Sequence, residues 1–402
     1  VIWKIAQLIK NHKELRVMTT FFPNHKPMLR GKYFLLALIA IFLALAMTSL
    51  AHAQKIITFD APNSGTSAGQ GTEATGINLE GTITGNVTDN GFGTHGFVRT
   101  PNGRFTNFDA PGADPIVGCT CPSGINDLGV IAGNTIDTNG VNHGFVRAPN
   151  GQFAIFDDSQ APAGTGAGQG TTPVGITDFG VIAGNYVDGN YAGHGFVRTA
   201  GGKITTFDPL GSTYTSVWSI NNFGQVAGVF YDTNNVGHGF VRSAEGKITT
   251  FDPPGAVGGD AGTYNAFVND FGVIGGSYYA AKNDAEFGYL RWFGGQFTKF
   301  EAPKASSAEF FGTELAAINL ESTTTGWVFA KGVEVDGNME FVAQAFVRDA
   351  KGNATTFIVP GQITTPNPYL YGSAGAAINA VGVVAGRLHD ANLVAHAFLR
   401  IP

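Results

Sequence analysis

One short phrase recurs along this chain at near-regular intervals. His-Gly-Phe-Val-Arg stands at His95–Arg99, His143–Arg147, His194–Arg198 and His238–Arg242, and looser copies follow at Phe287–Arg291, Gln344–Arg348 and His396–Arg400. Successive copies are 44 to 57 residues apart. That period belongs to a propeller or a solenoid, whose units bury their apolar faces only against their neighbours.

The second copy shows how one unit is built. Gly124-Ile125-Asn126 reads as a short strand and Asp127–Gly129 as a turn. Val130–Ile136 is a second strand, Asp137–Asn142 a polar loop, His143–Ala148 a third strand and Gln152–Asp157 a fourth. β-branched and aromatic runs bounded by Gly, Asn and Asp are strand signals. No stretch after residue 53 has helical periodicity. The expected fold is all-β, a seven-bladed β-propeller of four-stranded antiparallel blades. The turn between the third and fourth strands carries Asn102-Gly103, Asn150-Gly151, Gly201-Gly202, Glu245-Gly246, Gly294-Gly295 or Lys351-Gly352. These pairs suit a two-residue primed turn. Such a turn sets Phe97 opposite Phe108, Phe145 opposite Phe156 and Phe196 opposite Phe207, with Phe240–Phe251, Tyr289–Phe300 and Phe346–Phe357 to match.

The last copy ends at Pro402 without a fourth strand, whereas Lys55–Asp60 matches the fourth strands Lys203–Asp208 and Lys247–Asp252. A ring explains this, with the N-terminal strand completing the last blade and covering its open edge. The expectation is that Phe59 packs across from Phe398. Ahead of that strand, the 14-residue apolar run Tyr33–Ala46 follows Lys26, Arg30 and Lys32 and precedes Ala51-His52-Ala53. This is the pattern of a secretory signal peptide, too short for a comfortable membrane span. Residues 1–53 are therefore read as a removed extension, with Met18 or Met28 as its start, and 54–402 as one exported domain in periplasm, medium or cell surface. That domain has 17 basic and 29 acidic residues, a net charge of −12, and no basic cluster. Nucleic acid is a poor partner for it, and no second hydrophobic span follows. Cys119 and Cys121, the two cysteines of the chain, are too close to staple a large domain. They are either a local disulfide or two thiols in one loop.

The recurring Gly-Ile-Asn-x-x-Gly-x-Ile-x-Gly followed by His-Gly-Phe, or by His396-Ala397-Phe398, resembles the HAF family of extracellular repeat proteins. The resemblance spans nearly all of 55–402. It implies bacterial export and a repeat fold, and it brings no catalytic residues.

Three constellations are candidate sites. In the first, Asp89, Asp137, Asp188, Asp232 and Asp390 each precede a histidine by six residues: His95, His143, His194, His238 and His396. The copies with Phe287 and Gln344 in place of His lack the Asp too, having Ala281 and Asn338. Joint loss points to contact, either a hairpin clamp or an acid–base or metal pair. Five near-identical copies argue against catalysis, which needs one tuned site. In the second, Asp137-Thr-Asn139-Gly and Asp232-Thr-Asn234-Asn resemble half of a calcium loop without its last carboxylate. Turn chemistry explains them equally well, and no cofactor is expected.

The third is the mouth of a central channel. A hydroxyl recurs at Thr72, Thr120, Thr171, Thr215, Thr263, Thr313 and Ser373, and the next residue varies: Glu73, Cys121, Thr172, Ser216, Tyr264, Glu314 and Ala374. Variation on a uniform scaffold marks where a ligand is read. Tyr214, Trp218, Phe310, Phe311, Tyr369 and Tyr371 lie nearby in sequence, and aromatic faces beside hydroxyls suit sugar rings. The favoured reading is a binding module for a carbohydrate or a protein partner on the long-loop face. One alternative is a polysaccharide hydrolase or lyase using Glu73 and Glu314, which requires the two acids to converge. The other is a structural cell-surface protein.

Overall fold

The computed structural model describes residues 54–114, 118–157, 164–256, 262–280, 285–305, 312–329, 333–335, 338–365 and 372–402, with the backbone alone for 333–335 and 338–340. The chain divides into two units, Val1–Ala53 and Gln54–Pro402, and every described residue belongs to the second. The described residues contain no helix.

Strands pair in sequence as four-stranded antiparallel meanders. Gly71–Ile77, Ile83–Thr88, Thr94–Arg99 and Phe105–Phe108 form one. Tyr214–Ile220, Val226–Tyr231, Gly237–Arg242 and Ile248–Phe251 form another, standing as a separate sheet. Between meanders, the start of a third strand meets the start of the next first strand in one parallel bridge, as at Asn142–Gly170, Glu286–Gly312 and Ala343–Gly372. Ala395 meets Gly71 in the same way. Ser373–Ile378, Val384–His389 and Ala395–Ile401 make three strands of the last meander. The strand beside them is Lys55–Phe59, antiparallel to Ala395–Ile401.

The turn between third and fourth strands differs from the expected primed pair. Thr100 N–H donates to Arg104 O and Gly103 N–H to Thr100 O. The left-handed φ falls on Gly103 (87°), and on Gly151 (90°) and Gly202 (92°) in the next copies. This is a three-residue loop closed by a glycine bulge. One extra residue moves the register by one place and exchanges the two faces of the strand. Phe108 therefore faces Gly96, not Phe97, and Phe156, Phe207, Phe251 and Phe300 face Gly144, Gly195, Gly239 and Gly288. Phe346 likewise faces Thr356. The same offset applies at the ends of this unit, where Phe59 faces Ala397 and Thr58 faces Phe398.

The rings that end the fourth strands instead pack on the neighbouring meander. Phe108 packs edge-on to Phe145 with ring centroids 6.5 Å apart, Phe207 to Phe240 at 5.9 Å and Phe357 to Phe398 at 5.9 Å. Phe145, Phe240 and Phe398 are fully buried. The repeat arginine lies over the same fourth-strand ring: Arg147 over Phe108 at 4.5 Å, Arg198 over Phe156 at 4.5 Å and Arg400 over Phe357 at 5.4 Å. Each such cation–π contact contributes about 0.5–2 kcal/mol. Arg99 lies over Phe59 at 4.5 Å, so the first meander treats Lys55–Phe59 as its predecessor's fourth strand. At the end of the sheets that carries the repeat arginines, Asn side chains bridge first-strand turns. Asn78 Nδ2 donates to Asn126 O, Asn221 to Asn269 O, Asn269 to Asn319 O, and Asn319 to Asn379 O. Asn379 donates back to Asn78 O across 301 residues of sequence, at 3.1 Å.

Candidate functional site

The five histidines each lie between two carboxylates. His95 Nδ1 meets Asp109 at 2.7 Å and its Nε2 lies 3.5 Å from Asp89. His143 has Asp157 at 2.9 Å and Asp137 at 3.6 Å, and His396 has Asp60 at 2.9 Å and Asp390 at 3.8 Å. His194 and His238 repeat this with Asp208 and Asp188, and with Asp252 and Asp232. The aspartate six residues upstream is therefore the farther partner. Its Oδ1 is engaged in the turn, accepting from two backbone N–H groups such as Asn139 and Val141 at Asp137. The nearer partner ends the fourth strand, in the Phe-Asp pairs Phe108-Asp109 and Phe156-Asp157, a recurrence visible in the sequence. Burial works against protonation of His95 and His143, but the hydrogen bonds and charges of their aspartates outweigh it and raise both pKa values. Burial works to raise Asp89 as well, and its backbone donors and His95 overcome it to leave the pKa lowered. Five equivalent clamps tie third to fourth strands, and among the described residues no group of three or more His, Cys, Asp or Glu is arranged to hold a metal ion.

Most of the recurring hydroxyls are buried within the sheets, and Ser373 alone of them lines the pocket described below. Thr72, Thr120, Thr171, Thr215 and Thr313 have no exposed surface. Thr72, Thr120 and Thr313 Oγ1 accept the backbone N–H groups of Ala61, Ala110 and Ala302 just beyond the preceding fourth strands. They are structural staples, regular because the junction is. Cys119 and Cys121 flank one of them and are paired with each other.

The variable position after the hydroxyl behaves differently. Tyr264, Glu314 and Ala374 line one pocket of about 270 Å³, with Trp327, Phe329, Ser373, Arg387 and His389. Two features of the backbone assemble it. Strand alternation points every second side chain of a second strand the same way, which brings in Trp327 with Phe329 and Arg387 with His389. These face Glu314 and Ala374 across the ladder, in the pairs Glu314–Trp327 and Ala374–Arg387. The second feature is a bulge. Six first strands are bulged at the third residue after the hydroxyl, as between Ala74 and Gly76 or Leu315 and Ala317. In Gly262–Val268 the bulge is displaced to between Thr263 and Asn265 and falls on Tyr264 itself. A bulge re-aims its side chain, and here the re-aimed residue is one that lines the pocket.

Glu314 accepts a hydrogen bond from the Trp327 side chain. Burial pushes its pKa up to about 8, against the charge of Arg387 and the Trp327 hydrogen bond. Arg387 Nε lies 3.5 Å from Glu73 Oε1, and its charge also acts on Glu314, so one guanidinium serves both acids named in the sequence. Burial, helped by Arg387 and His396, drives His389 down to about 4, which leaves it neutral at pH 7. Burial and the nearby Glu314 and Glu286 push Tyr264 up to about 12.

Among the other residues expected here, Trp218 packs on Tyr264 at 6.3 Å and Phe267 at 5.8 Å, beside the pocket. Tyr214 is 38% exposed and packs on Tyr231 instead. Phe310, Phe311, Tyr369 and Tyr371 lie outside the described residues, as does Ala281. Sequence reading missed Trp327, Arg387 and His389. Their signal was a broken pattern: Asn86, Asn134 and Asn185 hold the place that Val229, Ser277, Trp327 and Arg387 take later.

No family model and no curated protein matches this chain. Among solved structures, streptogramin B lyase is similar over 87% of this chain and 98% of its own, with a TM-score of 0.51 and 15% identity. Puromycin hydrolase matches with a TM-score of 0.49 and 11% identity, over 82% of this chain and 50% of its own. A lectin from Burkholderia pseudomallei matches with a TM-score of 0.49 and 11% identity, over 84% and 96%. At such identities the first likeness is one of fold, and it makes the meanders of residues 54–402 propeller-like.

Proposed function

We propose that residues 54–402 are an exported seven-bladed propeller of the HAF type that binds one sugar ring in the Tyr264–Arg387 pocket. Ring closure is supported by Lys55–Phe59 beside Ala395–Ile401, by Arg99 over Phe59 and by the Asn379–Asn78 bond. The binding reading is carried by one observation: a pocket that combines aromatic side chains with Glu314, Ser373 and Arg387, set in an otherwise repetitive scaffold. Apolar faces plus a few placed hydrogen-bonding groups are what recognise a sugar. At about 270 Å³ the pocket has room for a single ring. A polymer engages it through a terminal or side-branch residue.

The test is retardation of the purified protein by immobilised polysaccharides, with new chain ends assayed in the same samples. Retardation without new ends, lost in Trp327→Ala, supports the module. Glu314 supports a second reading, since a carboxyl held protonated near neutral pH can act as a general acid. New chain ends that vanish in Glu314→Gln make the protein an enzyme. No retardation and no new ends sink both readings and leave a structural or protein-binding role.

A further inference from the structure

Glu286 is 1% exposed, and neither of its carboxyl oxygens has a hydrogen-bond partner among the described residues. Leaving such a group unpaired costs several kcal/mol if it is charged. Its place in the fold explains where it acts. Glu286 pairs across the ladder with Tyr279, as Ala343 pairs with Phe329 one meander later. Ala343 and Phe329 both line the pocket. Glu286 bridges to Gly312, two residues before Glu314, and its charge is felt by Glu314's neighbour Tyr264. Two buried carboxyl groups thus stand in adjacent meanders on the same side of the fold.

Building on the pocket reading above, we propose that the Glu286–Glu314 pair recognises a primary ammonium group, so that the bound ring is that of an amino sugar. The groups around the pair leave this role open. Arg387 is the guanidinium within reach of Glu314, and Glu73 already balances it at 3.5 Å. Among the described residues, the remaining titratable neighbours are Tyr231, Tyr264, Tyr279 and His389, none of which brings a positive charge at pH 7. Mutual repulsion and burial keep the empty pair protonated. An ammonium group entering between them exchanges for that proton: the N–H bonds stay intact, the carboxyl proton passes to solvent, and the charge of the site is unchanged. Aromatic side chains on the wall, Trp327 and Tyr264, favour an organic cation over a bare metal ion.

Calorimetric titration at pH 5.5, where the amine enters already protonated, with glucosamine trimer, N-acetylglucosamine trimer and cellotriose, in buffers of different ionisation heat, tests this. The amine trimer is expected to bind about tenfold tighter than cellotriose, releasing about one proton per site. The double variant Glu286→Gln/Glu314→Gln should abolish that proton release, and Glu286→Gln alone should fold at least as stably as the parent. Equal or tighter binding of cellotriose, or amine binding without proton release, overturns the ammonium proposal and leaves the sugar pocket standing. Binding of none of the three overturns the pocket reading and the ammonium proposal with it.

Discussion

Glycine at the second place of His-Gly-Phe-Val-Arg is a requirement for space. A Cβ built on Gly144 would meet the Phe156 ring at 2.7 Å. Ala345 and Ala397 occupy this place in the last two copies, so the backbone accepts a methyl group and the cost falls on the ring that must shift. Gly144→Ala is expected to destabilise by about 1–3 kcal/mol in urea unfolding. The histidine before it makes a different kind of prediction. Asp157 is the nearest acid to His143, at 2.9 Å. Asp157→Asn should lower the His143 pKa, followed by NMR titration of the ring proton. Because the folded His143 pKa is raised, its contribution is complete below the unfolded value and fades as pH rises through the folded one. The buried acids act in the same direction over a range that begins at lower pH. Their pKa values are raised, to about 8 for Glu314, so they stabilise fully below about pH 4.5 and lose that contribution as pH rises towards 8. Thermal unfolding should show stability declining over this window, and Glu286→Gln should flatten the decline. A parent protein equally stable at pH 5 and pH 8 would contradict the buried, unpaired state of Glu286.

At the scale of single elements, strand content was legible because β-branched and aromatic runs lie between Gly, Asn and Asp, and each meander follows that order. Register was not legible. Asn-Gly serves a two-residue primed turn and a three-residue bulged loop alike, and the two differ by one residue. Only the hydrogen bonds of Thr100 and Gly103 distinguish them. The consequence is large, since fourth-strand rings expected to pair within their hairpin, such as Phe108 and Phe207, pack on the next meander. The displaced bulge at Tyr264 is a second case. Its strand has the same spacing from Thr263 to Asn269 as Thr72 to Asn78, so no gap in the sequence marks it. Side-chain bonds of Asn265 to Ser277 N and Leu315 O hold the altered path.

At the scale of the whole unit, the strand Lys55–Phe59 joins the two ends of residues 54–402. It carries Phe59 under Arg99 and is followed by Asp60 against His396. Removing residues 54–60 uncovers the edge of Ala395–Ile401, and the shortened protein should melt earlier and self-associate through that edge. Phe59→Ala, which keeps the strand, should cost less, about 2 kcal/mol given its half-buried ring. Calorimetry with light scattering separates the two effects. A shortened protein that melts like the parent and stays monomeric would argue against a closed ring.

Repetition carried what the sequence determined by itself. A unit that recurs every 44 to 57 residues must stack on its own kind, and the match of Lys55–Asp60 to later fourth strands announced the pairing of the ends. The variable position holding Glu73, Tyr264 and Glu314 was also visible, since irregularity shows against a repeat. Tertiary structure alone decided which of those residues meet. Residues such as Tyr264, Glu314, Trp327 and Arg387 come from three meanders, and their convergence depends on bulge position, strand alternation and the packing of one sheet on the next. None of these is encoded in the spacing along the chain. The unpaired state of Glu286 is likewise a property of its surroundings, because a carboxyl group becomes costly only once the fold has removed both water and partners from it.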